Sequence, residues 1–349
     1  MILAAAGRVI DGRGDLSEVA RLKGILDSRG LRTEQLAIAP LRMPWQEPLP
    51  PGYLRGATAP LQAITVARAS FAGGRADALL LTGTDRLRSD YAPTERKRLM
   101  QVFEGGRTHL EGYALLAQQF IESAGISRED FHKLAECLFE NYRRTCRARS
   151  LPWAEPEERW FGFVNEYFRG VDCANPYVDF SGAILLVTEQ AAELCEIPAE
   201  DRIRILACEL REAGIDAIED IPSVVRYAHL EAAYAAACRQ AGVDFPRRFL
   251  AGDALLEVYS CYPVVPLAFL LRSGLVPGLP GVPALLRRLD VTVTGGLNLG
   301  RAPWNNTTLN AVVAMTRLLR DPGEKKLAGV HSNGSLGYQQ GFLLLGREQ

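Results

Sequence analysis

Residues 58–84 read TAPLQAITVARASFAGGRADALLLTGT, and residues 306–333 read NTTLNAVVAMTRLLRDPGEKKLAGVHSN. Both follow one order: a polar start, an alanine-rich stretch, a Gly or Pro-Gly break, a short apolar run and a small polar loop. At an offset of 248 residues, Leu61, Gln62, Ala63 and Ile64 fall on Leu309, Asn310, Ala311 and Val312. Alanine favours helix and lets a helix lie close to neighbours on more than one side. Interior helices are therefore expected over 61–71 and 309–319, each followed by a buried strand. Two copies of one helix-strand unit predict a duplicated α/β fold. The remaining apolar runs fit that plan. Residues 2–6, 78–82, 183–187, 203–207, 291–293 and 327–330 read as buried strands, and 230–241 as a third alanine-rich helix.

Composition narrows the functional classes. A chain of 349 residues has room for about two domains. Its 40 basic and 41 acidic side chains leave a net charge of -1, so no overall field draws it to nucleic acid or to an anionic membrane. Residues 258–271 are apolar and free of charge, but these 14 residues include two prolines and fall short of the ~18 that cross a bilayer. Residues 1–6 lack a basic leader, and Arg8 and Asp11 follow at once, so a cytoplasmic location is expected. The seven cysteines are scattered and never spaced C-x-x-C, which argues against a disulfide framework and a structural zinc site. With four histidines far apart in sequence, no metal is expected.

The middle of the chain differs. From about 85 to 169 it is rich in Arg, Asp and Glu. Ser127 with Asp130 marks a helix start, and Phe131, Leu134, Ala135, Leu138 and Tyr142 then fall on one stripe. This reads as a helical insertion. The expected division is a first half at 1–180 that contains the insertion, and a second half at 181–349. Arg143, Arg144, Arg147 and Arg149 read as a solvated helix face.

Several motifs fail. Asn333-Gly334-Ser335-Leu336-Gly337 misses the first glycine of a nucleophile elbow. Gly295-Gly296-Leu297-Asn298-Leu299-Gly300 has leucine where a dinucleotide fingerprint needs its second glycine. No phosphate-binding P-loop and no H-E-x-x-H are present. What remains is a pair of small-residue loops, 56–60 and 300–307, each before an alanine-rich helix. Such loops either aim unpaired backbone N–H groups at an anion or thioester carbonyl, or simply make turns with Asn306 or Thr307 as a cap.

Taken in order, these stretches resemble the thiolase superfamily, in particular its sterol-carrier-type branch and thiolase-like proteins. The resemblance is carried by 56–60 through Gly83, by Asn175-Pro176-Tyr177-Val178-Asp179-Phe180-Ser181-Gly182-Ala183, by Val258-Tyr259-Ser260-Cys261-Tyr262-Pro263, by 291–296, by Trp304-Asn305-Asn306 and by Ser332-Asn333-Gly334. It implies a five-layered αβαβα fold of two similar βαβαβαββ halves with an inserted loop domain. It also implies a coenzyme A thioester as ligand, no bound cofactor, and a homodimer or heteromer.

The family's catalytic side chains are not matched. Ala57, beside Thr58, stands where thiolases carry the acyl-accepting cysteine at a helix N-terminus. Ala302, preceded by Arg301, replaces the histidine of a Gly-His-Pro turn. Ser332 before Asn333-Gly334 replaces the second cysteine, and Tyr259 stands for the histidine of a His-Asp-Cys-Phe loop. Cys261 keeps that loop's cysteine, and His331 is a titratable neighbour of the Ser332 loop. The resemblance thus implies substrate contacts at Ala57, Thr58, Arg301, Ala302, Asn305, Asn306, Ser332, Asn333 and Gly334, with Tyr259, His331 and Cys261 as candidate catalytic groups. Three functions follow from it: an acyl-CoA-binding subunit without thiolytic turnover; a cysteine-independent lyase of β-hydroxyacyl-CoA using Tyr259, in the manner of aldolases that pair with a small zinc-ribbon and OB-fold protein; and an acyltransferase with a relocated nucleophile.

Overall fold

The computed structural model describes residues 1–103, 106–152, 154–174, 176–215, 217–299 and 302–347. Among them ten strands form one hydrogen-bonded sheet: β1 (Ile2–Ile10), β2 (Arg13–Asp15), β3 (Thr33–Ile38), β4 (Tyr53–Leu54), β5 (Ala78–Arg86), β6 (Asp179–Val187), β7 (Ile203–Glu212), β8 (Leu255–Glu257), β9 (Leu327–Gly334) and β10 (Gln339–Arg347). The first helices are α1 (Ser17–Ser28), α2 (Ala59–Ala72), α3 (Pro93–Leu99), α4 (His109–Ala124), α5 (Arg128–Ala148), α6 (Glu189–Leu194) and α7 (Ile221–Val224). They continue as α8 (Ala228–Ala241), α9 (Phe245–Leu250), α10 (Val264–Arg272), α11 (Val282–Arg288), α12 (Gly296–Leu299) and α13 (Thr307–Arg320).

The sheet order is β4-β3-β5-β6-β1-β7-β10-β9-β8, with β2 paired to β1. On one side β3 is parallel to β5, β5 antiparallel to β6, and β6 antiparallel to β1. On the other, β8 is parallel to β9, β9 antiparallel to β10, and β10 antiparallel to β7. The same run of pairings occurs twice, with α2 leading into β5 and α13 into β9, so the repeat seen in 58–84 and 306–333 is a repeat of topology. By pairing, β6 stays with the first group. The groups join through β1 and β7 at only two residue pairs, Ile2↔Arg204 and Leu3↔Ile203.

Side-chain alternation along the strands sets the layers. On β10, Leu343 and Leu345 point to a central cluster, while Phe342 and Leu344 point to an outer one. The central cluster gathers Leu61, Ile64 and Ala67 of α2, Leu309, Val312 and Met315 of α13, and apolar residues of both strand groups. On the outer face of the first group, α1 and α6 cover Ala4, Ala5, Leu185 and Val187. On that of the second, α8, α9 and α10 cover Phe342 and Leu344. The result is the αβαβα layering that the resemblance implied.

Helices α3, α4 and α5 lie between β5 and β6. Ser127 caps α5 by accepting from the Asp130 backbone N–H at 3.0 Å, and the five-residue stripe from Phe131 to Tyr142 is buried. The arginines of α5 meet carboxylates: Arg143 with Glu140 and Glu155, both at 2.8 Å, Arg144 with Asp290 at 2.5 Å and Arg149 with Glu324 at 3.0 Å.

One expected strand is absent. Residues 291–293 are β-rich in sequence but irregular in structure. The Val293 and Thr294 N–H groups donate to the buried Glu257 carboxylate at 2.6 and 3.0 Å, and that of Val291 to Asn141 Oδ1 at 3.2 Å. Side chains have taken the donors a strand would need. All seven cysteines are free. No helix among the described residues is long and apolar enough to cross a membrane.

Leu61 and Leu309 are equivalent in the two repeats and completely buried. Leu61→Ala and Leu309→Ala are each expected to cost about 2–5 kcal/mol in urea unfolding. A loss under 1 kcal/mol at either position would contradict the central role of α2 and α13.

Candidate functional site

A cavity of about 470 Å³ opens between the N-terminal ends of α2 and α13, helix α4 and the loop after β8. Pro60 in the first turn of α2 fixes the backbone where a missing N–H costs nothing. The preceding Gly56 has φ +80, a left-handed turn that favours glycine. Ala57 is thereby presented at the cavity wall.

Of the residues singled out from sequence, Ala57, Tyr259, Cys261, Ala302, Asn305 and Asn333 line the cavity together. Thr58, His331, Asn306, Ser332 and Gly334 do not. Their polar groups hold the surrounding loops instead. Thr58 Oγ1 donates to Gln339 Oε1 at 2.5 Å. Ser332 Oγ shares a hydrogen bond with Thr308 Oγ1 at 2.9 Å and donates to the Ala57 carbonyl at 3.2 Å. Gly334 ends β9, where a Cβ would come within 2.9 Å of Gln339. Arg301 lies outside the described residues, as do Gly300 and Asn175.

His331 is buried and stacked on Phe269 at 4.5 Å between ring centres. Its Nδ1 accepts the Tyr259 backbone N–H at 3.4 Å, which leaves Nε2–H to donate to Gln340 Oε1 at 2.7 Å. From there the amides continue the chain. Gln340 Nε2 donates to Asn333 Oδ1 at 2.5 Å, Asn333 Nδ2 to the Tyr113 hydroxyl at 2.9 Å, and that hydroxyl to the Ser335 carbonyl at 2.5 Å. Burial lowers the His331 pKa to about 4, so the ring is neutral at pH 7. Both of its nitrogens are occupied.

The phenols of Tyr113, Tyr259 and Tyr262 and the thiol at the wall are also neutral. Burial, helped by nearby Cys261, raises the Tyr259 pKa above its usual 10. Cys261 is pushed up to about 12 by burial, against the pull of the Tyr113 hydroxyl. Tyr113 stacks on Tyr262 at 4.3 Å, and His109 sits between Phe103 and Trp304, 4.9 Å from each. Arg96 and Lys97 of α3 stand on the lining as cations, and Arg96 also lies over the Tyr177 ring at 4.5 Å. No group of three or more His, Cys, Asp or Glu among the described residues is arranged to hold a metal.

Two carboxylates that sequence reasoning missed fix the loops. Asp85, at the end of β5, accepts the backbone N–H groups of Asn305 and Asn306 at 2.8 and 3.2 Å and the Asn306 side-chain amide at 2.8 Å. Glu257 holds 293–294 as described, with Thr294 Oγ1 also donating at 2.5 Å. Gly295 and Gly296, at φ +80 and +79, pack against α5: a Cβ on Gly295 would come 2.2 Å from Cys146 Sγ. The double glycine is a packing turn. Tyr113 and His109 were missed too. His109 follows Thr108, whose capping box with Glu111 was a readable helix start; Tyr113 had no such signal.

No protein-family model matches the sequence, and no curated protein matches it. Solved structures do match in shape. A monomeric SCP2-thiolase-like protein type 1 from Mycobacterium smegmatis has a TM-score of 0.70 at 18% identity, over 100% of this chain and 77% of that one. The Ltp2-ChsH2(DUF35) aldolase gives 0.66 at 16%, over 100% and 98%. Human mitochondrial 3-ketoacyl-CoA thiolase in complex with CoA gives 0.67 at 15%, also over 100% and 98%. The chain has a thiolase fold. In that fold, the cavity lies between the two helices that open the duplicated units.

Burial raises Asp85 to about 6 and Glu257 to about 7. An acid whose pKa is higher folded than unfolded favours the fold while protonated, and that contribution is lost as pH rises from about 4 through the folded value. Urea unfolding is expected to show stability falling by up to about 1.4 kcal/mol per pH unit for each group across its window. Asp85→Asn keeps an acceptor for the loop and should flatten the decline between about pH 4 and 6. An unchanged slope in that variant would remove Asp85 as its source.

Proposed function

We propose that the cavity binds an acyl-CoA thioester and does not carry its acyl group on a cysteine. The observation that carries this reading is the state of Cys261. Among the described residues it is the one thiol on the cavity wall, and with a pKa pushed up to about 12 it stays protonated at neutral pH. Nucleophilic transfer needs a thiolate. At the mouth of α2, where the resemblance expects the acyl acceptor, stands Ala57. In this reading Ala57, Ala302, Asn305 and Asn333 are neighbours of the thioester, and Thr58, Asn306, Ser332 and Gly334 act through the loops they hold. Arg96 and Lys97 supply cations for the phosphates. The fold's solved neighbours support the ligand class, since one is a thiolase in complex with CoA. The chain then serves as a subunit of an acyl-CoA-processing complex, and a small zinc-ribbon and OB-fold protein is the proposed partner. The Ltp2-ChsH2(DUF35) aldolase, a neighbour in fold, joins two proteins by name.

A second reading is favoured by Tyr259, whose residue lines the cavity in neutral form. In retro-aldol cleavage of a β-hydroxyacyl-CoA, the β-hydroxyl loses a proton, the Cα–Cβ bond breaks, and its electron pair becomes a thioester enolate that takes up a proton. A protonated phenol suits donation to that enolate better than removal of the hydroxyl proton. His331, with both nitrogens engaged, is a positioning group that fixes the Tyr259 backbone.

Calorimetric titration with acetyl-CoA and acetoacetyl-CoA tests the first reading. Expected are saturable binding, equal affinity in Cys261→Ala, no acyl adduct by mass spectrometry, and no acetyl-CoA from acetoacetyl-CoA plus CoA. Steady thiolysis lost in Cys261→Ala would overturn it and restore the relocated-nucleophile acyltransferase. For the second reading, aldehyde or ketone release from a β-hydroxyacyl-CoA should fall about 10²–10⁴-fold in Tyr259→Phe, and equal rates in that variant would refute it.

A further inference from the structure

A second cavity, of about 510 Å³, shares Leu297 and Ala302 with the first and otherwise has its own walls. Arg8, Arg13, Arg88 and Arg317 line it, against the single carboxylate of Asp11. Asp11 pairs with Arg88 at 3.0 Å. Arg8, from β1, uses Nη1 on the Asn310 backbone and side-chain oxygens. Among the described residues its Nε and Nη2 have no acceptor, and Arg13 and Arg317 have neither a hydrogen bond nor an ion pair. Two other acids act on these arginines by charge without pairing with them: Glu257, which holds 293–294, on Arg8, and Asp15, which accepts from Ser17 at 2.7 and 2.5 Å, on Arg317.

Gathering unpaired cations in a concave site is unfavourable by itself. Burial and the Arg317 charge together push the Arg8 guanidinium down to about 10, with Glu257 opposing. An anion seated there would offset both effects by pairing with the guanidinium. Its charge class follows from the count of free guanidiniums. A lone carboxylate leaves most of that charge uncompensated, whereas phosphate oxygens match the guanidinium fork and carry two or more charges. Ile10, Leu151, Pro152 and Val178 add an apolar wall, and the volume suits a whole small ligand rather than an ion.

We propose that this second cavity binds a phosphorylated small molecule, with Arg8, Arg13 and Arg317 on its phosphate or diphosphate group and the apolar wall on its organic body. The site does not depend on the acyl-CoA reading of the first cavity. Its phosphates can belong to a free nucleotide or to a CoA.

Thermal unfolding of the full chain tests it with three probes: inorganic pyrophosphate, adenosine 3′,5′-bisphosphate and CoA. Pyrophosphate and the bisphosphate are expected to raise Tm saturably. Arg13→Gln and Arg317→Gln, both at exposed positions, should each weaken the apparent affinity about tenfold, and the double variant should lose the shift. Arg21→Gln on α1, with the same loss of charge, should keep it. If the bisphosphate competes with CoA and Arg317→Gln weakens both, the phosphates are those of a CoA; if the pyrophosphate and CoA shifts add, the ligand is a separate one. Either result supports the site. The absence of a saturable shift with pyrophosphate and the bisphosphate, or an equal shift in the double variant and wild type, would overturn it. Circular dichroism of the unliganded variants shows that they are folded.

Discussion

Asp85 joins the two repeats at the point where function is expected. It ends the strand of the first unit and accepts three N–H groups from the turn that opens the helix of the second. Completely interior charge is costly, so the carboxylate is tolerable only because its donors converge on one oxygen or because it is protonated. Gly83, two residues earlier on the same strand, leaves the space Asn306 occupies: a Cβ there would stand 1.7 Å from Asn306 Oδ1. A small residue and a buried acid thus set the depth at which α13 begins, and with it the position of Asn305 on the cavity wall.

Glu257 performs the equivalent task on the other side, tying 293–294 to the strand that precedes the Tyr259 loop. Between these carboxylates runs the neutral chain of His331, Gln340, Asn333 and Tyr113. Every member both gives and receives, so the network is satisfied without a charge, and it fixes the wall in one arrangement. A cavity framed in this way keeps its phenols, its thiol and the imidazole behind them uncharged. That suits a binding site or a proton donor better than a nucleophile.

Much of the fold was legible because burial wrote it into periodicity. Strands buried on both faces read as unbroken apolar runs, as at Ala183 to Val187, and alanine-rich helices marked the central layer. What escaped was short or mixed. β3 reads Thr-Glu-Gln-Leu-Ala-Ile, too polar at its start to stand out, and β8 has only three residues. The run at 291–293 was misread because β-branched side chains show propensity but not where a distant carboxylate takes their amides. In the site, the loops were legible in order, so Ala57, Tyr259, Cys261, Ala302, Asn305 and Asn333 were found as a group. The side chains that point into loops rather than into the cavity, such as Thr58 and Ser332, could not be separated from them without coordinates. Asp85, Glu257 and Tyr113 carry no local pattern, since their partners lie far away in sequence.

The seam between the strand groups bears on how the chain is made. β1 is made well before the strands it joins: apart from the small hairpin with β2 its partners are β6 and β7, which begin at Asp179 and Ile203. The whole stretch between Ile10 and Asp179 must emerge before its buried edge can be closed. During that interval an apolar strand is left open to other chains, so the nascent protein is exposed to aggregation long before its own sheet is complete.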